Sequence, residues 1–197
     1  MILCNLLSLL AEKRINISKA SRDTGISRTT LTSLCTNTCQ GVQLDTVNTL
    51  CKYLDVGIEQ LFLLSKYDFQ IRLNVPLLEY QNFPQNSQGY FEIIIDYFGK
   101  KTDCTINCDM YFHYEKSRIT WLEASLEFYD EDSYSNDDPV KADVAEENRI
   151  LRKVLSDLQS PFKNWLRNTI VDKIYYEYDE FFVDGYEISI DYPQEFK

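Results

Sequence analysis

The chain has 197 residues, room for one large domain or two small ones. Hydrophobic residues make up 44% of it, enough to bury a core, yet no apolar run approaches the roughly 20 residues that a membrane-spanning helix needs. A formal charge of -11, from 31 acids against 20 Lys and Arg, excludes a protein that grips nucleic acid with its whole surface.

That charge is unevenly spread. Residues 1–64 hold six Lys and Arg against five acids, a net of +1, whereas residues 65–197 hold 14 against 26, a net of -12. Two domains follow, residues 1–64 and residues 66–197, with the acidity in the second. Residues 1–10 are leucine-rich but carry neither a basic leading segment nor a small-residue cleavage site. They read as a first helix rather than a signal peptide, and the expected location is the cytoplasm. The six cysteines are expected as free thiols acting as small apolar groups.

Helix one is predicted over about residues 2–14, where Leu3, Leu6, Leu7 and Leu10 recur at helical spacing and Lys13 and Arg14 meet the negative end of the dipole. Ser18 is the predicted N-cap of helix two, about residues 19–24, and Gly25 sits where a helix ends in a left-handed turn. Ser27 caps helix three, about residues 28–36, with Leu31 and Leu34 facing inward and Ile26 packing beside them. Gln43 or Asp45 opens helix four, whose buried stripe is Val47, Leu50, Cys51 and Leu54; Gly57 breaks it. A short fifth helix carries Ile58, Leu61, Phe62 and Leu64.

This register resembles the Cro- and phage-repressor-like (XRE-type) helix-turn-helix domain, over residues 2–63. Ala20 and Ser21 supply the small residue wanted early in the second helix, Gly25 the turn, Ile26 the apolar residue after it, and Leu31 and Leu34 the anchors of the third helix. The tail T-L-C-K-Y-L-D-V-G-I-E-Q-L-F is similar to the family's last two helices. Two residues depart from the pattern: Thr24, where an apolar residue is usual, and Ile17, where many phage repressors carry a glutamine that braces a base contact. The resemblance implies a lambda-repressor-like five-helix domain that binds double-stranded DNA. Its third helix would lie in the major groove with its N-terminal residues at the base edges. Those positions are Ser27, Arg28 and Thr29, with Thr32 and Ser33 one turn on. Arg28 is the one long cationic side chain there and suits a bidentate pair with guanine. Ser18, Lys19 and Asn37 fall where phosphates would be met. A domain of net +1 gains little from counterion release, so a homodimer on two half-sites is expected.

From Tyr67 the period becomes two. Tyr67, Phe69, Ile71, Leu73 and Val75 predict a strand ended by Pro76, followed by a polar loop over residues 81–88. Phe91, Ile93, Ile95 and Tyr97 mark the second strand, and Gly99-Lys100-Lys101 a turn. The third strand alternates from Cys104 through Phe112 to Tyr114, Glu115-Lys116 reverses the chain, and Leu122, Ala124, Leu126 and Phe128 mark the fourth. This is an antiparallel meander with one wet face. After an acidic linker, residues 130–138, come two helices, about residues 142–158 and 160–171, the second opened by Ser160-Pro161. Residues 174–183 and 186–192 around Asp184-Gly185 predict a closing hairpin. The fold class is thus α+β: five helices, then four strands, two helices and a two-strand hairpin.

No catalytic motif is present: no phosphate loop, no nucleophile elbow, and one histidine in the chain. No enzyme and no cofactor are expected. Cys104-x3-Cys108-x4-His113 has metal-like spacing, but strand parity puts His113 on the face opposite the two cysteines, so no metal is expected. Cys35 is expected in the core and Cys39 at the surface. Two functions remain. One is a sequence-specific transcriptional regulator, a dimeric repressor of phage or mobile-element type, whose larger domain pairs copies or senses a ligand. The other is an antagonist whose acidic domain binds a basic protein, such as a nuclease, while the first domain autoregulates. Some phage anti-CRISPR proteins are similar to the latter in layout alone.

Overall fold

The computed structural model describes residues 1–75, 85–116, 118–129 and 139–197. They form two compact units, Met1–Ser65 and Lys66–Lys197. Pro76, the first part of the predicted polar loop and the acidic linker lie outside the described residues.

The first unit opens with a strand, not a helix. Ile2–Cys4 is β1, α1 is Leu6–Glu12, α2 Ile17–Thr24, α3 Arg28–Cys35, α4 Leu44–Leu54 and α5 Ile58–Leu61, and Phe62–Leu64 is β2. β1 and β2 pair antiparallel, Ile2 with Leu64 and Cys4 with Phe62. The Asn5 N–H then donates to the Leu61 carbonyl at 2.8 Å, which carries the pairing into the start of α1. Leu3, Leu6 and Leu10 are all buried, so an apolar spacing that reads as one helix is divided between a strand and a helix.

The core is largely the expected one, but Leu7, Ile58 and Leu64, read as core-facing, are exposed. Leu6, Ala20, Leu31, Leu50, Leu54 and Leu61 are fully buried, with Ile17 and Ile26 packed against them. Burial of each large side chain contributes about 1.5–3 kcal/mol. α4 opens after Gln43, one of its two expected openers, but ends at Asp55, which takes the left-handed conformation (φ 51°). Gly57 is extended and precedes α5 instead of stopping α4; its N–H donates to Gln60 Oε1.

In the second unit β3 is Tyr67–Asn74, β4 Asn86–Tyr97, β5 Lys100–Glu115, β6 Arg118–Phe128, α6 Pro139–Asp157, α7 Ser160–Tyr178 and β7 Phe182–Asp191. One five-stranded sheet runs β3-β4-β5-β6-β7. The first four strands are the predicted meander. The β4–β5 turn is Phe98-Gly99, both at positive φ, so Lys100 and Lys101 belong to the strand.

The closing hairpin is corrected. α7 does not stop at Val171 but runs to Tyr178, because Phe162, Leu166, Ile170, Ile174 and Tyr178 repeat every four residues and all are buried. The chain thus returns as one strand, and β7 joins β6 parallel. Asp184-Gly185 sits in a bulge within β7: Ile119 faces Phe182, but Trp121 already faces Glu187. Helices α6 and α7 cover the sheet face that carries Phe69, Phe112 and Phe128; Trp165 meets Phe69, Tyr178 meets Phe112, and Arg152 lies over Phe128. Buried Asn148 donates through Nδ2 to the Tyr129 carbonyl at 2.9 Å. No helix among the described residues is long and apolar enough to cross a membrane.

Candidate nucleic-acid interface

α2 and α3 are joined by a turn that side chains hold closed. Asn16, not Ser18, caps α2: its Oδ1 accepts from the Lys19 N–H at 2.8 Å. Ser18 is half-buried in the first turn of α2. Gly25 ends α2 at φ 74°, its N–H donating to the Ser21 carbonyl at 3.0 Å. Thr24 Oγ1 donates to the Ala20 carbonyl at 2.6 Å and accepts from the Ile26 N–H at 3.2 Å, while Ser21 Oγ donates to the Ile26 carbonyl at 2.7 Å. The hydroxyl that looked out of place at residue 24 is therefore fully used. From α4, Tyr53 OH donates to Asp23 Oδ2 at 2.7 Å and braces the end of α2. Asn16 and Tyr53 fall outside the sequence reading, and Thr24 stands in it only as a departure from the family pattern. Asn16 carries a local signal, as a good capping residue three before Lys19.

Ser27 caps α3 as expected, its Oγ accepting from the Thr30 N–H at 3.1 Å. Leu31 and Leu34 anchor the helix in the core, so the opposite face looks out. Ser27, Arg28, Thr29 and Thr32 are exposed together on that face. Arg28 makes no ion pair or hydrogen bond with a described residue, and its guanidinium is available to a ligand. Lys19 and Arg22, both exposed on α2, are the neighbouring cations.

Two predicted contacts are placed differently. Ser33 is half-buried and donates to the Thr30 carbonyl at 3.0 Å. Asn37, in the left-handed conformation at φ 57°, spends both ends of its amide on the Cys4 backbone. It ties β1 to the end of α3, which leaves only its second Nδ2 hydrogen for a phosphate.

The thiols are packing groups. Cys4 and Cys35 are buried and Cys39 is half-buried. Burial pushes the Cys4 thiol up to about 11 and raises that of Cys35 as well. In the second unit burial pushes Cys104 and Cys108 to about 12, and His113 stands on the other face of β5, stacked on Trp121. Among the described residues no group of His, Cys, Asp and Glu is arranged to hold a metal ion.

Residues 5–66 match the Cro/C1-type HTH DNA-binding domain. This domain covers the first unit alone; the second is not recognised. A crystal structure from Bacteroides fragilis, of a candidate DNA-binding protein, is 29% identical over 32% of this chain and 98% of its own length, with a TM-score of 0.29. No match to the chain was found among curated proteins.

Proposed function

We propose that the protein is a sequence-specific DNA-binding transcriptional regulator that acts by occupying an operator rather than by catalysis. The observation that carries this reading is the exposed, unpaired Arg28 on a helix whose register is fixed by the Ser27 cap and by Leu31 and Leu34. Thr29 and Thr32 stand beside it for phosphates or thymine methyls, and Lys19 and Ser18 for the backbone. With a net of +1 over residues 1–64, one copy gains little from counterion release. Two copies reading two half-sites are therefore the expected binding form, and blocking a promoter makes the regulator a repressor.

A gel shift on the DNA upstream of the reading frame tests this. Arg28→Ala is expected to weaken binding by about 1–3 kcal/mol, roughly 5- to 150-fold. Unchanged affinity would remove Arg28 from the reading face.

A further inference from the structure

The sheet of the second unit carries helices on one face. The opposite face bonds to itself. Gln88 Nε2 donates to Asp109 Oδ1 at 3.0 Å, Arg72 Nη1 to Glu92 Oε2 at 3.1 Å, and His113 stacks on Trp121 with 4.6 Å between ring centres. Large aromatic side chains remain open to solvent there: Tyr90 is 41% exposed, Tyr111 49% and Trp121 36%. Tyr and Trp are enriched at interaction surfaces relative to the rest of a protein's surface. Most of the charge is acidic: Asp109, Glu123, Glu127 and Glu187 spread over β5, β6 and β7, while Asp191 is paired with Lys197, Arg72 on β3 with Glu92, and Lys101 stands at the start of β5.

This face is concave beside Asp109. A depression of about 330 Å³ is lined by Gln88, Gly89, Tyr90, Asn107, Asp109 and Tyr129. Its chemistry among the described residues is specific: one carboxylate, two phenol rings, two carboxamides and no cation. Gln88 occupies one oxygen of Asp109 and leaves the other to accept. A carboxylate next to aromatic faces suits an ammonium or guanidinium head, through charge-assisted hydrogen bonds and cation–π attraction. The same set repels an anion and gives an apolar group little to bury against.

We propose that this outer sheet face docks a Lys/Arg-rich segment of a partner protein, one cationic side chain seated in the depression beside Tyr90 and Asp109. A second copy of the chain is the poorer occupant, because two such faces would bring like charges together. The inference is independent of the DNA reading, which concerns the other unit.

The test uses the full chain carrying Arg28→Ala, so that the DNA face plays no part, and a labelled peptide of Lys-Arg-Gly repeats followed by fluorescence anisotropy. Binding is expected, weakening as salt rises. Asp109→Asn and Tyr90→Ser are each expected to weaken it about tenfold, and Tyr90→Phe to retain it because the ring face is kept. Thermal unfolding of each variant separates lost binding from lost fold. Equal affinity for the parent, Asp109→Asn and Tyr90→Ser overturns the proposal, as does absence of binding at low salt. Complete displacement by spermidine at equal charge also overturns it, because the depression would then be a small-polyamine site.

Discussion

The carboxamide of Asn37 closes both hydrogen bonds of one backbone unit, accepting from the Cys4 N–H at 2.6 Å and donating to the Cys4 carbonyl at 3.2 Å. An edge of the two-stranded ribbon is thereby tied to the segment that follows the reading helix. Asn37 can do this because asparagine tolerates the left-handed conformation it adopts there.

Asn37→Ala should therefore act on stability, not on DNA contact. It leaves a part-buried backbone N–H and carbonyl without partners and puts alanine at φ 57°. The expected loss is about 1–3 kcal/mol, measured by denaturant unfolding. Any loss of DNA affinity should vanish under conditions where the variant is fully folded. A loss that persists in the fully folded variant would restore Asn37 to the interface.

Gly25→Ala isolates the turn. At φ 74° a Cβ would meet nothing within 4 Å, so no clash contributes. The cost is the left-handed backbone alone, about 1–2 kcal/mol. A fall in thermal stability of that size is expected. No fall would mean that α2 and α3 can meet through another turn.

The turn, its cap and the two leucine anchors were legible because each is a local signal: Gly25 follows α2, Ser27 precedes α3, and Leu31 and Leu34 are three apart. The wet meander was legible for the same reason, from alternation over Cys104 to Phe112. What local pattern could not show depends on distant partners. Ile2–Cys4 is a strand only because Phe62–Leu64 lies beside it, some sixty residues on. Asp184-Gly185 has the composition of a hairpin turn, but the parallel pairing of β7 with β6 overrides it. The exposure of Arg28 was legible; the commitment of Asn37 to Cys4 was not, since nothing near residue 37 names residue 4.

Glu147 gives a pH-dependent prediction. Burial raises its pKa, with Asp143 and Asp103 adding repulsion, against the bond it accepts from the Thr105 N–H at 3.2 Å. A carboxyl raised on folding stabilises the protein at low pH, and that stability is lost as pH rises through the folded value. Glu147→Gln keeps an acceptor for Thr105 and removes the charge. The variant should be the more stable at neutral pH, and its advantage should shrink as pH falls through the carboxylate range. A constant difference across that range, in denaturant titrations at several pH values, would show that Glu147 ionises freely.

Tyr178 closes the core of the second unit and carries an unmet cost. Its ring is fully buried at the end of α7, edge-on to Phe112 with 5.3 Å between centres, and burial raises the phenol well above its ordinary pKa. Its hydroxyl has no hydrogen-bond partner among the described residues. A buried donor without a partner costs about 1–3 kcal/mol, whereas the ring beneath it is well packed. Tyr178→Phe keeps the ring and removes the orphan group. It should raise the stability of the second unit by about 1 kcal/mol in denaturant unfolding, with no change at the DNA face. A loss of stability of similar size would instead mean that the hydroxyl holds a buried water, and that the site at the end of α7 is wet.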